Sequence, residues 1–150
     1  MADVIRSAQK YVKTVIVVTD GPSDNTPEVA EKAGAYVVQH AENCGAGAAT
    51  MTGIDAARAM GANVVITLDA DGQHDPHDIP DMLQPILDGK ADIVFANRFG
   101  QRNHIPLIRR IFNGLGNIVT FSATGKWVSD SQCGFKVLGP KAVREIDIRM

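Results

Sequence analysis

Apolar and polar positions along this chain switch repeatedly between a helical and an extended period. Residues 2–12 carry Val4, Ile5, Ala8 and Val12 at helical spacing, which predicts a short amphipathic helix. Residues 14–19 form an unbroken β-branched run, the pattern of a strand buried on both faces. A polar loop over 20–25 follows, then Thr26 as an expected N-cap with Pro27 at the first helical position. That helix should reach about residue 33, with Gly34 just past its end. Residues 35–39 predict a second strand, and a glycine-bearing loop at 43–47 leads into a helix that stops near Met60. Residues 63–68 predict a third buried strand with Asp69, Ala70 and Asp71 at its carboxyl end. Asp75 and Pro76 open a helix whose Ile79, Met82, Leu83, Ile86 and Leu87 share one face. A fourth strand is expected at 91–96, another at 135–138, and a last helix at 140–146.

Strands alternating with helices imply an α/β layer architecture with a mostly parallel sheet. In such sheets ligands bind beyond the carboxyl ends of the strands. Three polar clusters fall at those ends: residues 20–25, residues 69–73, and Asn97 with Arg98. The stretch 104–124 is different, with Ile105, Leu107, Ile108 and Ile111 set irregularly against Arg109, Arg110 and Asn113. It fits either a helix covering the sheet or an amphipathic segment lying on a membrane surface.

The length of 150 residues suits a single domain, and 45% hydrophobic residues supply a core. A formal net charge of -2 gives no basic field, so nucleic acid is not an expected partner. Cys44 and Cys133 lack any paired-motif spacing, which favours a reducing, cytoplasmic setting over a disulfide scaffold. The first residues lack the apolar core of a signal peptide, and no run of 18 or more apolar residues is present.

The strongest candidate chemistry is the Asp69/Asp71 pair. Side chains two apart on an extended segment face the same way, about 7 Å apart. They can present two carboxylates to one hard divalent cation, with Gln73 adding a carbonyl oxygen. A metal there neutralises a diphosphate and stabilises it as a leaving group. An acidic turn followed by an N-cap is the plain structural alternative. His74 and His77 flank Asp75 and Pro76, but no further ligand stands at zinc spacing. They are expected as solvated residues at a helix start, with Asp75 as its N-cap.

Five stretches together resemble glycosyltransferase family 2. V-V-T-D-G-P-S-D-N-T (17–26) resembles that family's V-V-D-D-G-S-x-D-x-T, and N-C-G-A-G-A-A (43–49) resembles its N-x-G-x-G-x-A loop. V-I-T-L-D-A-D-G-Q-H-D-P (65–76) is similar to the form in dolichyl-phosphate mannosyltransferases and related polyprenyl-phosphate sugar synthases. A-N-R-F (96–99) resembles their G-S-R-F, and D-S-Q-C-G-F-K (130–136) resembles their D-x-x-S-G-F-R. The resemblance implies a GT-A, Rossmann-like fold and sugar transfer from a nucleotide-sugar donor of the GDP-mannose or UDP-glucose type to a polyprenyl or dolichyl phosphate.

Roles follow from the same resemblance. Asp20 would contact the nucleobase or ribose. Asp69, Ala70 and Asp71 would lie at the donor, with Asp69, Asp71 and Gln73 holding Mg²⁺ or Mn²⁺. Arg98 would meet a phosphate, which suits its guanidinium fork. Arg109 or Arg110 would serve a donor or acceptor phosphate, and Asp130 would stand near the sugar. A lipid-phosphate acceptor implies peripheral contact with the cytoplasmic membrane face. The plain alternatives are a turn at Asp20, a surface ion pair at Arg98 and a turn cap at Asp130.

The chain departs from the pattern at Thr19 (the first Asp of the family's Asp-Asp pair), Pro22, Cys44, Ala46 and Cys133. The family also begins with a strand and a P-x-x-N-E-type loop that nothing before Thr14 matches, so a partial catalytic core without its first strand is expected. An open sheet edge of that kind would suit a homodimer. Two rival readings accompany this one. An inactive, truncated nucleotide-binding remnant would keep the motifs without turnover. A nucleotidyltransferase would need a glycine- and basic-rich phosphate loop near the N-terminus, which is absent. A receiver-like domain does not fit the 69–76 block.

Overall fold

A computed structural model describes residues 1–22, 25–70, 74–96 and 133–146. Asp71, Gln73, Arg98, Arg109, Arg110 and Asp130, together with the amphipathic stretch 104–124, lie outside the described residues.

The chain opens with α1 (Ala2–Ala8), shorter than its pattern suggested, with Ile5 and Ala8 buried. β1 (Ile16–Thr19) follows, and α2 (Thr26–Lys32) then begins one residue earlier than expected. Asn25, not Thr26, is its N-cap, and it makes no side-chain capping bond; Pro27 sits in the first turn, where its missing N–H costs nothing. Gly34 takes φ 85°, the left-handed value that ends helices without steric penalty. β2 (Tyr36–Gln39) pairs in parallel with β1, Ile16 opposite Tyr36 and Thr19 opposite Gln39. α3 (Ala46–Ala59) crosses back over β1 so closely that a Cβ on Gly53 would stand 3.3 Å from the Val18 methyl.

β3 (Val65–Thr67), a 3₁₀ turn (Pro76–Asp78), α4 (Ile79–Leu87) and β4 (Ile93–Phe95) form the next unit. β5 (Lys136–Leu138) inserts between β3 and β4 and runs antiparallel to both; α5 (Pro140–Glu145) closes the described chain. β3 and β4 therefore share one direction, as β1 and β2 do. Among the described residues the strands form two sheets, β1-β2 and β3-β5-β4, and β1 does not pair with β3.

Helix α1 spans this division. Ile5 packs in the cluster with Ala30 and Ala35 beneath β1-β2. Ala8 packs in the cluster of Ile79, Cys133 and Phe135, which also gathers Val15, Ile66 and Leu68. A third cluster, Ile54, Val65, Leu138, Ala142 and Val143, seats α3 and α5 on the second sheet. Arg58 of α3 reinforces it by donating to the carbonyls of Val143 (2.8 Å) and Ile146 (2.9 Å) at the end of α5. On α4, Ile79 and Ile86 are buried, but Leu87 is 66% exposed and does not join the apolar face the pattern assigned it.

Candidate functional site

Two groups of side chains collect where strands end. At the end of β1 and β2, Asp20 binds its own chain. Its Oδ1 accepts from the Cys44 N–H (2.8 Å) and meets His40 Nδ1 (2.8 Å); its Oδ2 accepts from the Gly45 N–H (2.7 Å). His40 then reaches Thr52 Oγ1 on α3 through Nε2 (2.9 Å). Gly45 stands as the N-cap of α3 at φ 89°, a conformation few residues adopt without strain. Gly21 (φ 94°) brings the two loops together, since a Cβ there would stand 3.1 Å from the Asn43 nitrogen. Asp20 thus locks the glycine loop onto the strand end and fixes where α3 begins. The Cys44 N–H, the His40 ring and the Gly45 N–H together hold the Asp20 carboxyl below its ordinary range.

A carboxylate offers about four acceptor positions, and three are used here among the described residues. His40 carries no signal in the sequence beyond its place directly after a strand. Its partnership with Asp20 links residues twenty positions apart, which only the parallel β1-β2 register brings together.

At the end of β3, Asp69 and Ala70 are exposed. The Asp69 carboxylate lies directly against Gly134, and a Cβ on that glycine would occupy the carboxylate's own position. Thr67 fixes this crossing, its hydroxyl donating to the Gly134 carbonyl (2.7 Å). The space left by the glycine holds the Asp69 carboxylate at the strand end. Gly134 had no assigned role in the sequence, although it stands inside the D-S-Q-C-G-F-K stretch.

The histidines beyond Asp69 divide. Asp75 caps the 3₁₀ turn as expected, accepting from the His77 N–H (2.9 Å), and the exposed His77 ring also meets its carboxylate (2.6 Å). His74 is not solvated as expected. It is half-buried, edge-on to Phe135 with centroids 5.5 Å apart, and its Nε2 lies 3.5 Å from Cys133 Sγ. The pull of the Phe135 cluster on an aromatic ring outweighs its polarity.

No helix of the described residues is long and apolar enough to cross a membrane. The family model for glycosyl transferase family 2 matches residues 1–146. An uncharacterised protein of Methanocaldococcus jannaschii is 37% identical over 137 residues, covering 89% of this chain and 56% of its own. The UDP-N-acetylglucosamine–dolichyl-phosphate N-acetylglucosaminyltransferase of Methanococcus voltae is 29% identical over 163 residues, covering 95% of this chain and 65% of its own. This chain therefore spans less than two-thirds of the length of either relative. Among solved structures, glucosyl-3-phosphoglycerate synthase from Mycobacterium tuberculosis, in complex with phosphoglyceric acid, superposes with a TM-score of 0.70 at 20% identity, over 93% of this chain and 52% of that one. At that identity the likeness speaks for the fold. The paired strand-end sites, the family match and the shared architecture lead to one conclusion: this chain belongs to glycosyl transferase family 2 and has the GT-A fold.

Proposed function

We propose that this chain is the donor-binding core of a metal-dependent transferase that moves a sugar from a nucleoside diphosphate sugar to a polyprenyl or dolichyl phosphate. The observation that carries the proposal is Asp69 at the carboxyl end of β3, its carboxylate seated in the space that Gly134 leaves open. Members of the family generally use divalent metals. Asp69 would hold Mg²⁺ or Mn²⁺, with Asp71 and Gln73 as its partners. When bound, the cation supplies charge neutralisation of the diphosphate leaving group.

The chain's own groups do the rest. Asp20 keeps the glycine loop closed against β1 and offers its remaining acceptor position to the nucleoside. Arg98 would pair with a donor phosphate oxygen, and Arg109 or Arg110 with the acceptor or donor phosphate. An acceptor phosphate oxygen attacks the anomeric carbon while the nucleoside diphosphate leaves from the opposite face, which inverts that centre. A phosphate monoester is largely ionised at neutral pH, its second pKa being about 6, so this acceptor needs no strong base. A hydroxyl acceptor would require one, and Asp130 would then take the proton.

The lipid-phosphate acceptor is supported by the relative from Methanococcus voltae, whose name specifies dolichyl phosphate, and by the basic amphipathic stretch 104–124. Such an acceptor places the protein at the cytoplasmic face of a membrane. The test is transfer of labelled sugar from UDP- and GDP-sugars to polyprenyl phosphate in detergent. Lipid-linked product, dependent on Mn²⁺ and abolished by Asp69→Ala, is the expected result. Nucleotide binding without product would leave a donor-binding module and reject transfer by this chain.

A further inference from the structure

Beside Asp20 stand two side chains that the transferase reading does not use, the His40 ring and the Cys44 thiol. An Asp20 carboxylate oxygen, a His40 ring nitrogen and the Cys44 thiol all lie within 4.8 Å of one another. We propose that Asp20, His40 and Cys44 form a second metal site, selective for a thiophilic divalent cation of the Zn²⁺ class and separate from the carboxylate site at Asp69.

Three features support it. The donor set is the first. One sulfur, one imidazole nitrogen and one carboxylate oxygen suit Zn²⁺, Co²⁺ or Cd²⁺, whereas Mg²⁺ and Mn²⁺ favour oxygen alone. The two sites thus sort cations by ligand chemistry.

The second feature is the state of His40. A ligating histidine binds through one ring nitrogen and donates its other N–H to an outer partner, which fixes the ring. His40 Nδ1 faces Asp20, and Nε2 already has Thr52 Oγ1 at 2.9 Å. The outer partner is therefore in place before any cation arrives, and a change of ring tautomer makes Nε2 the donor to it.

The third is the small movement required. Tetrahedral Zn²⁺ with N and O ligands at about 2.0–2.1 Å sets those ligands roughly 3.3 Å apart, and sulfur about 3.5 Å from either. His40 Nδ1 and Asp20 Oδ1 stand at 2.8 Å, so they need to part by only about half an ångström. Cys44 is exposed, and among the described residues its thiol makes one long hydrogen-bond contact, to the Glu42 carbonyl (3.5 Å), so it can swing inward. The cation takes the Cys44 thiolate, with release of the Sγ proton, and replaces the proton between Asp20 and His40, which the neutral ring keeps by carrying it on Nε2 toward Thr52 Oγ1. The fourth position is left to water. Because Cys44 and Gly45 also donate their N–H groups to Asp20, the cation would clamp the glycine loop at the start of α3.

Co²⁺ is the probe. Titrated into the whole chain, it should give a thiolate-to-metal charge-transfer band and tetrahedral visible absorption that saturate at one equivalent, and Zn²⁺ should remove both. Cys44→Ser should abolish the charge-transfer band. Thr52→Val should weaken binding by about tenfold or more through its outer bond alone. Asp69→Ala and Cys133→Ser should leave the charge-transfer band unchanged, which separates this site from the carboxylate site and from the Cys133/His74 pair. Alkylation of Cys44 by iodoacetamide, read by peptide mass, should slow by about tenfold or more under Zn²⁺. Far-ultraviolet circular dichroism shows whether each variant is folded. A band that survives Cys44→Ser, absence of any band in the folded wild type, or Zn²⁺-indifferent alkylation overturns the proposal. Because none of these readouts involves sugar transfer, the site can stand or fall apart from the transferase reading.

Discussion

The Asp69 carboxylate occupies the place where a side chain on Gly134 would begin. This contact joins the strand end of β3 to the segment entering β5, sixty-five residues further along the chain. Gly134 does not have a left-handed backbone, so alanine is permitted there on conformational grounds and its only effect is steric. Gly134→Ala should leave the fold intact while turning Asp69 out of position. Metal-dependent nucleotide binding should weaken by about tenfold or more, and the same change in an Asp69→Ala background should add nothing. Calorimetry on the four proteins of that cycle provides the check; full additivity would show that Gly134 acts elsewhere.

Arg58 tests how the second sheet holds its helices. Its guanidinium caps the last carbonyls of α5 from α3, across more than eighty residues of sequence. Arg58→Met keeps much of the aliphatic stem but leaves both carbonyls without this donor. A loss of about 1–3 kcal/mol in urea unfolding is expected, since hydrogen bonds to a charged donor are involved. A loss below about 0.5 kcal/mol would mean that water replaces the guanidinium freely.

Thr19 offers the opposite sign. It is 6% exposed at the end of β1, and among the described residues its Oγ1 has no hydrogen-bond partner. Thr19→Val keeps the shape and removes the buried hydroxyl, so it should raise stability by about 1 kcal/mol. A destabilised valine variant would reveal a partner for that hydroxyl.

Asp20 predicts a pH dependence. Hydrogen bonds from Cys44, His40 and Gly45 lower its folded-state pKa, so the folded protein holds the ionised form more tightly than the unfolded chain does. Its contribution to stability is therefore full above the ordinary aspartate range and is lost as pH falls below about 4, through the folded pKa. Asp75 and Asp88, also lowered, act in the same direction. The unfolding midpoint of Asp20→Asn should lie below wild type at neutral pH, and the gap should close toward pH 3. A gap that is constant with pH would assign the effect to geometry alone.

Much of the fold was legible because its signals are local. The β-branched run before Asp20, the helix-ending glycines Gly34 and Gly61 (φ 85° and 80°), and the Asp75 cap each depend on neighbours in sequence. What escaped depends on distant partners. The insertion of β5 between β3 and β4, antiparallel to both, follows from pairings such as Val65 with Leu138 that no periodicity encodes. Leu87 fits the helical stripe on paper, yet it lies about 100° round from Ile86 and faces solvent. In the site, Asp69 was marked by its place after a buried strand. His40, Thr52 and Gly134 were not, since each acts only through a residue brought to it by the fold.

The central claim, a metal-assisted donor site built on Asp69, is tested most directly by calorimetric titration. GDP-mannose and UDP-sugars, N-acetylglucosamine included, would be titrated into the wild type and Asp69→Ala, with and without Mn²⁺. One of these donors should bind the wild type only with Mn²⁺, and Asp69→Ala should abolish that binding while its circular dichroism stays unchanged. Binding that ignores Mn²⁺ and survives Asp69→Ala, or no binding of any nucleotide sugar by the folded wild type, would contradict the claim.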